Sequence, residues 1–171
     1  PAEENGEEGG NNFVTESITN FVIDNFEFAN TWQGAIPRDY GLINIIRREG
    51  GPADVVAEGE EENKYILGVK VEYFKTGYPY FSVTPPRPVK IPGYTKEISV
   101  WVAGRNHNNS MSFYIYDING KPQSIGNVSL NFVGWKNVTV QVPANVKQED
   151  FRGQREQGIS FMGIFIKVDP R

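Results

Sequence analysis

The feature that most limits this chain is a two-residue apolar rhythm that returns along most of its length. From Lys64 to Phe74, Tyr65, Leu67, Val69, Val71 and Tyr73 fall on one side, with Lys70 and Glu72 on the other. Ile98, Val100 and Val102 oppose Ser99 and Trp101; Met111, Phe113 and Ile115 oppose Ser112, Tyr114 and Tyr116; Val138, Val140 and Val142 oppose Asn137, Thr139 and Gln141. Val128, Leu130 and Phe132 continue the pattern, and Met162, Ile164, Ile166 and Val168 end it. Successive side chains of an extended chain point to opposite faces, so this rhythm predicts strands with one buried face. With the shorter apolar runs Phe21–Ile23 and Leu42–Ile46, it predicts about nine strands.

Turn chemistry falls between these runs. Asn119-Gly120, following Asp117, is the strongest hairpin signal, and Thr84-Pro85-Pro86-Arg87-Pro88 is incompatible with regular pairing. Asn106-His107-Asn108-Asn109 reads as a polar connection and Glu58–Asn63 as a charged loop. Lys147–Gly158 is the only late stretch suited to a helical turn or a long loop. The expected fold class is therefore all-β, an antiparallel β-sandwich of the jelly-roll or carbohydrate-binding-module kind. Residues 13–171 are expected to form one domain. Residues 1–12, with Glu3, Glu4, Glu7 and Glu8 among Gly and Asn, are expected to be a disordered acidic tail. The opening PAEENGEEGGNN reads as the start of a mature product whose signal peptide has been removed.

The stretch FVGWKNVTVQVP, 132–143, combines two patterns. The valines carry a buried face, but Gly134 and Trp135 interrupt its start. The expectation is that Gly134 permits a close backbone approach and Trp135 covers an end of the core, with Pro143 stopping the pairing. The alternative role for Trp135 is a ligand platform.

Composition narrows the chemistry. The 171 residues include no cysteine, which removes disulfides and thiolate metal sites, and the net charge of −4 argues against a general nucleic-acid footprint. No apolar run approaches the length of a bilayer span. His107 is the single histidine, set among asparagines and expected in an exposed loop. No nucleophile elbow or phosphate-binding glycine loop is present, so no catalytic residue is assigned and no enzyme is expected. Asp117-Ile118-Asn119-Gly120 has the wrong spacing for a calcium loop and reads as a hairpin turn. Glu60-Glu61-Glu62 reads as a solvated charge run. Binding signals are softer: Tyr78-Pro79-Tyr80-Phe81, Trp32 and Tyr40 offer aromatic rings that serve either an interface or the ordinary core.

Four blocks carry a resemblance. VIDNFE (22–27), ISVWVAGRNHNNSMSFYIYDINGK (98–121), LNFVGWKNVTVQVP (130–143) and ISFMGIFIKVDP (159–170), in that order, resemble the FlaA family, the outer-layer (sheath) proteins of spirochaete periplasmic flagellar filaments. The resemblance implies a non-enzymatic structural protein of the periplasmic flagellum. It would assemble on a flagellin core with other sheath proteins and influence filament curvature, and so motility. It implies a jelly-roll-like sandwich and no cofactor.

Polar and aromatic loops are the expected contacts with those partners. They are Tyr78, Tyr80 and Phe81 in one loop, Asn106, His107 and Asn108 in another, and the Lys147–Gly158 segment. The alternative reading is a carbohydrate-binding jelly-roll module, which predicts aromatics in a line on a sheet face or at a loop apex. Such modules also motivate a calcium candidate at Glu27 and Asp169, near the first and last strands.

Overall fold

A computed structural model describes residues 20–53, 64–76, 80–150, 152–153 and 158–168. The acidic tail, Tyr78, Asp169 and the Glu60-Glu61-Glu62 run lie outside the described residues, as does part of Lys147–Gly158.

The described chain is all-β and antiparallel. After a short 3₁₀ turn at Ala29–Thr31 come ten strands: β1 (Gln33–Ala35), β2 (Gly41–Glu49), β3 (Tyr65–Tyr73), β4 (Tyr80–Thr84), β5 (Val89–Lys90), β6 (Glu97–Arg105), β7 (Asn109–Tyr116), β8 (Pro122–Ser129), β9 (Val133–Gln141) and β10 (Ser160–Val168). Six of them form one sheet in the order β1-β4-β10-β7-β8, with β5 also paired to β10. β4 meets β10 at Ile164–Lys167 and β5 meets it at Ser160 and Phe161, so the two short strands follow one another along one edge of β10. The proline-rich 85–88 connection that separates them is unpaired, as its missing N–H donors require. β2–β3 and β6–β9 are separate two-stranded ribbons.

Both ribbons share a single apolar cluster with the sheet. Met111, Phe113 and Ile115 of β7, Ile125 of β8 and Phe161 and Ile164 of β10 meet Ile98 of β6 and Val138 and Val140 of β9, with Ile43, Ile45 and Leu67 of the other ribbon packed against them. Phe113, Ile115, Ile159 and Val138 are the largest fully buried side chains. Each such side chain contributes about 1.5–3 kcal/mol on burial. Trp32, 3% exposed, closes the cluster beside the 3₁₀ turn; its ring lies 5.5 Å from Phe26 and 6.2 Å from Phe161.

Several expectations change. Phe21–Ile23 forms no strand and runs as irregular chain. Leu130–Phe132 is the connection from β8 to β9, not strand. The described part of Lys147–Gly158 is loop, the second of the two forms expected for it. In β10 the register shifts between Phe161 and Gly163, so Phe161 joins Ile164 in the core and Met162 leaves the phase predicted for it. One extra residue inverts a period-two pattern, which is why the sequence rhythm put Phe161 on the wrong side. A second bulge in β8 lies opposite Met111–Phe113 and is made by Gly126 at φ +80°.

The interrupted start of β9 also differs from expectation. Gly134 adopts φ +86°, and a Cβ there would meet nothing within 4 Å, so it supplies a backbone angle and not a close approach. The close approach belongs to Gly104, its partner across the ribbon, where a Cβ would collide with the Phe132 carbonyl and ring. Phe132 packs against the core, whereas Trp135 points outward opposite Ala103 and is 38% exposed.

Candidate interaction surface

The six-stranded sheet turns Met111, Phe113 and Ile115 inward, so the alternate residues of β7 face out. These are Ser110, Ser112, Tyr114 and Tyr116. By register, Phe165 and Lys167 of β10, Tyr80 and Ser82 of β4 and Ser124 of β8 share that outer face. Tyr114 is its centre: its ring meets Phe165 at 4.9 Å and 82°, and Tyr116 at 6.2 Å and 61°. Hydroxyl-bearing and aromatic residues suit a pleated sheet, and the cross-strand aromatic pair adds about 0.5–1.5 kcal/mol.

Charge distinguishes this sheet from the rest of the molecule. The chain carries 21 acidic and 17 basic residues, yet none of the six strands contains an Asp or a Glu; Lys90 and Lys167 are their only charged residues. The ribbons, by contrast, carry Arg47, Arg48, Glu49, Lys70, Glu72, Glu97, Arg105 and Lys136. A broad face with few charges and many short hydroxyls is inexpensive to desolvate, which is the property a contact surface needs.

Two of the sequence candidates meet at one end of this face. Tyr80, 42% exposed, pairs with Lys167, and Lys167 pairs on its other side with Ser110, the residue after the Asn106–Asn109 connection. At about 4.8 Å per strand, Tyr80 and Ser110 stand about 10 Å apart. The connection is shaped by Asn106, which takes φ +61° and donates its N–H to the Phe132 carbonyl at 2.8 Å. His107 is exposed, and its carbonyl accepts from the Asn109 N–H at 2.8 Å. Phe81 faces inward by its pairing with Ile166, half-buried.

The remaining candidates separate from this end. Trp32 belongs to the core, its Nε1–H donating to Asp24 Oδ2 at 3.1 Å. Tyr40 is half-buried with Lys75 Nζ 4.6 Å from its ring centre. Asp24 is a structural residue that the rhythm did not point to. Its Oδ1 also accepts from the Phe26 N–H at 2.6 Å and so holds Phe26 at φ +62°. The signal for it was the Asp-Asn pair, a local turn former.

Asp117 is a turn residue, as expected: Oδ1 accepts from the backbone of Asn119 at 2.8 Å and of Lys121 at 2.9 Å. Glu27 is exposed, and the contacts in its neighbourhood are made by its backbone: its carbonyl accepts from Arg47 Nη1 at 2.8 Å. Among the described residues no group of three or more His, Cys, Asp or Glu side chains is placed to hold a metal ion. No helix of the described residues is long and apolar enough to cross a membrane.

No solved structure matches this chain. A protein of Brachyspira hyodysenteriae described as a flagellar filament outer layer-like protein is 79% identical over 168 residues, which span 98% of this chain and 78% of that protein. Residues 9–170 match the family described as flagellar filament outer layer protein FlaA. With four-fifths identity to one relative and a family match along nearly its whole length, the chain belongs to the FlaA flagellar filament outer layer family.

Proposed function

We propose that this chain is a structural, non-enzymatic subunit of the outer layer of a periplasmic flagellar filament. It coats a flagellin core together with other sheath proteins and contributes to filament curvature, and through curvature to motility. Residues 13–171 act as one jelly-roll-like domain with residues 1–12 as an acidic extension, and the chain works in the periplasm after export.

The observation that carries the assembly reading is the acid-free outer face of the six-stranded sheet in a protein of net charge −4. Filament contacts repeat with the same geometry, so each one needs a surface that packs without unpaired buried charge. The Tyr80, Lys167 and Ser110 end of the face, with Asn106, His107 and Asn108 beside it, is where contact with the filament is placed, together with Tyr78, two residues before Tyr80 in the sequence.

Co-sedimentation with purified flagellin filaments tests this. Ser112→Glu puts a carboxylate in the middle of the face; Thr139→Glu, on the exposed side of β9, is the control. Ser112→Glu is expected to lower the bound fraction at least tenfold while the melting temperature stays near that of the parent and the control binds normally. Normal binding by Ser112→Glu would remove this face from the assembly.

A further inference from the structure

The β6–β9 ribbon turns Ile98, Val138 and Val140 into the core, so the residues alternating with them face solvent on the side away from the six-stranded sheet. Trp101 stands there beside Asn137, at the middle of the ribbon. The next pair along that face in one direction is Ala103 and Trp135, and in the other Ser99 and Thr139. Charge marks the two ends of β6, with Glu97 at one and Arg105 at the other. Two of the chain's three tryptophans therefore lie diagonally across one exposed face, their Cβ atoms about 7–8 Å apart.

The fold itself makes little use of these groups. Trp135 is 38% exposed and Trp101 half-buried. Among the described residues neither ring meets another ring or a cation, and neither indole N–H has an acceptor. Trp32, by contrast, donates to Asp24 from within the core. The Arg105 side chain holds no ion pair or hydrogen bond among the described residues, and Glu97 accepts a bond at 3.1 Å from Gln141 Nε2. Tryptophan and arginine without internal partners are the residue types on which interfaces concentrate their binding energy.

The order of the groups is self-complementary. Glu97 and Arg105 each lie four residues from Trp101. A two-fold axis in the plane of the face, crossing the strands at Trp101 and Asn137, sets β6 against a second β6 running in reverse. Glu97 of each copy then lies opposite Arg105 of the other, and the large Trp135 opposite the small Thr139. The two Trp101 rings meet at the axis. An axis along the strands would set Glu97 against Gln141 and Arg105 against Val133, and leave both charges unmatched. Packed strands cross at about 30°, which displaces the ends, about 13 Å from the axis, by about 7 Å, a gap that the long Glu and Arg side chains bridge.

We infer that the outward face of the β6–β9 ribbon is a contact between two copies of this chain related by that axis. Charge complementarity chooses the occupant, since the face supplies both members of each Glu–Arg pair. The contact is small. Two strands about 30 Å long cover well under the roughly 800 Å² per partner of a standard stable complex, so the copies separate on dilution. They pair where neighbours are held at millimolar effective concentration, which is the condition inside an outer layer. Only that setting rests on the subunit reading; the pairing is a property of the free chain.

Sedimentation equilibrium of the free chain at concentrations up to about 1 mM tests it. The parent is expected to show a monomer–dimer equilibrium there; a parent still monomeric at the highest concentration would overturn the inference. Glu97→Arg and Arg105→Glu, each alone, set like charges across the axis. Each is expected to raise the dissociation constant at least tenfold, with a melting temperature near that of the parent because both sites are exposed. Mixed in equal amounts, the two variants regain both opposite-charge pairs and are expected to dimerise about as tightly as the parent. A mixture no tighter than its components would overturn the two-fold pairing. Thr139→Glu sets a carboxylate opposite Trp135 and is expected to weaken the dimer as well. No filament enters these measurements, so their failure leaves the outer-sheet contact standing, and failure of the Ser112→Glu test leaves the pairing standing.

Discussion

Three glycines in or beside the Phe132–Pro143 stretch separate two physical costs that are usually mixed. Gly134 has φ +86° with open space around a would-be Cβ. Gly104 has no positive φ, but a Cβ there meets the Phe132 carbonyl and, at 2.5 Å, its ring. Gly126 combines both, with φ +80° and Val140 Cγ2 at 2.6 Å. Alanine at Gly134 should therefore cost only the left-handed backbone penalty, about 1–2 kcal/mol. Alanine at Gly104 should cost about 1–3 kcal/mol for overpacking, toward the upper end because one colliding group is backbone and cannot rotate away. Alanine at Gly126 should cost about 2–5 kcal/mol, since the two penalties coincide at a bulge whose Val140 neighbour is 5% exposed. The stabilising effect of Gly→Ala on the unfolded chain, about 0.4–1 kcal/mol, is common to all three and cancels in their differences. Urea titrations of the four proteins measure the ranking, with equal m-values required for comparison. A Gly126→Ala protein no less stable than Gly134→Ala would refute the close packing of β8 on β9, and with it the way the β6–β9 ribbon covers the sheet.

Two further outcomes follow from single side chains. Asp117→Ala removes a 6%-exposed carboxylate that holds two backbone N–H groups of the β7–β8 turn, and should lower stability by about 1.5–3 kcal/mol, whereas Asp117→Asn keeps an acceptor oxygen and should lose less; urea midpoints distinguish them. Burial raises the Tyr73 hydroxyl above the usual tyrosine value of 10.0, so the folded state keeps its proton where the unfolded state releases it. Stability should be insensitive to this group below pH 10 and fall as pH rises from there through the raised value, and Tyr73→Phe should flatten that alkaline decline in urea midpoints taken on either side of pH 10.

How far the fold could be read from the sequence depends on how local each feature is. β3 was legible as a strand and a face, because the ribbon register never slips and Tyr65, Leu67, Val69, Val71 and Tyr73 share a side, although Val69 and Tyr73 stay 38% and 44% exposed on it. The inward sets of β6 and β7 were legible too, since the β6–β9 register runs without a shift and the extra residues beside β7 lie in its partners β8 and β10. β10 was legible as a strand but not in phase, since the shift at Phe161–Gly163 depends on how β7 pairs with it. β1 and β5 are three and two residues long, too short to establish a period. β4 was hidden because Tyr80-Phe81 looked like the end of an aromatic loop. At Gly134 the sequence signalled that a glycine was needed but not which of its two uses applied. That question turns on whether another chain segment lies above the Cα, and of the facing pair Gly104 has one and Gly134 does not. At the candidate surface the loop residues were visible one at a time, but the acid-free sheet was not. It emerges when strands distant in sequence are placed side by side.

That assembled face also bears on the choice between gripping a glycan and gripping a protein. Rings that stack on sugar units must present their faces outward. Tyr114 instead engages Phe165 at 82° and Tyr116 at 61°, so ring faces and edges are turned toward one another within the sheet. All three are half-buried, and the more exposed rings, Phe21, Phe28, Tyr73, Phe74, Tyr80, Tyr94 and Trp135, are spread over three strands, β3, β4 and β9, and several connections. A row of edge-locked aromatics among serines makes a stiff, shallow, weakly charged relief instead of a set of platforms. Such a relief gains from burying a broad area at once, since single hydroxyl–aromatic contacts are worth little against the entropy of association. A partner of matching breadth, itself a protein surface held in fixed orientation, makes the best use of it.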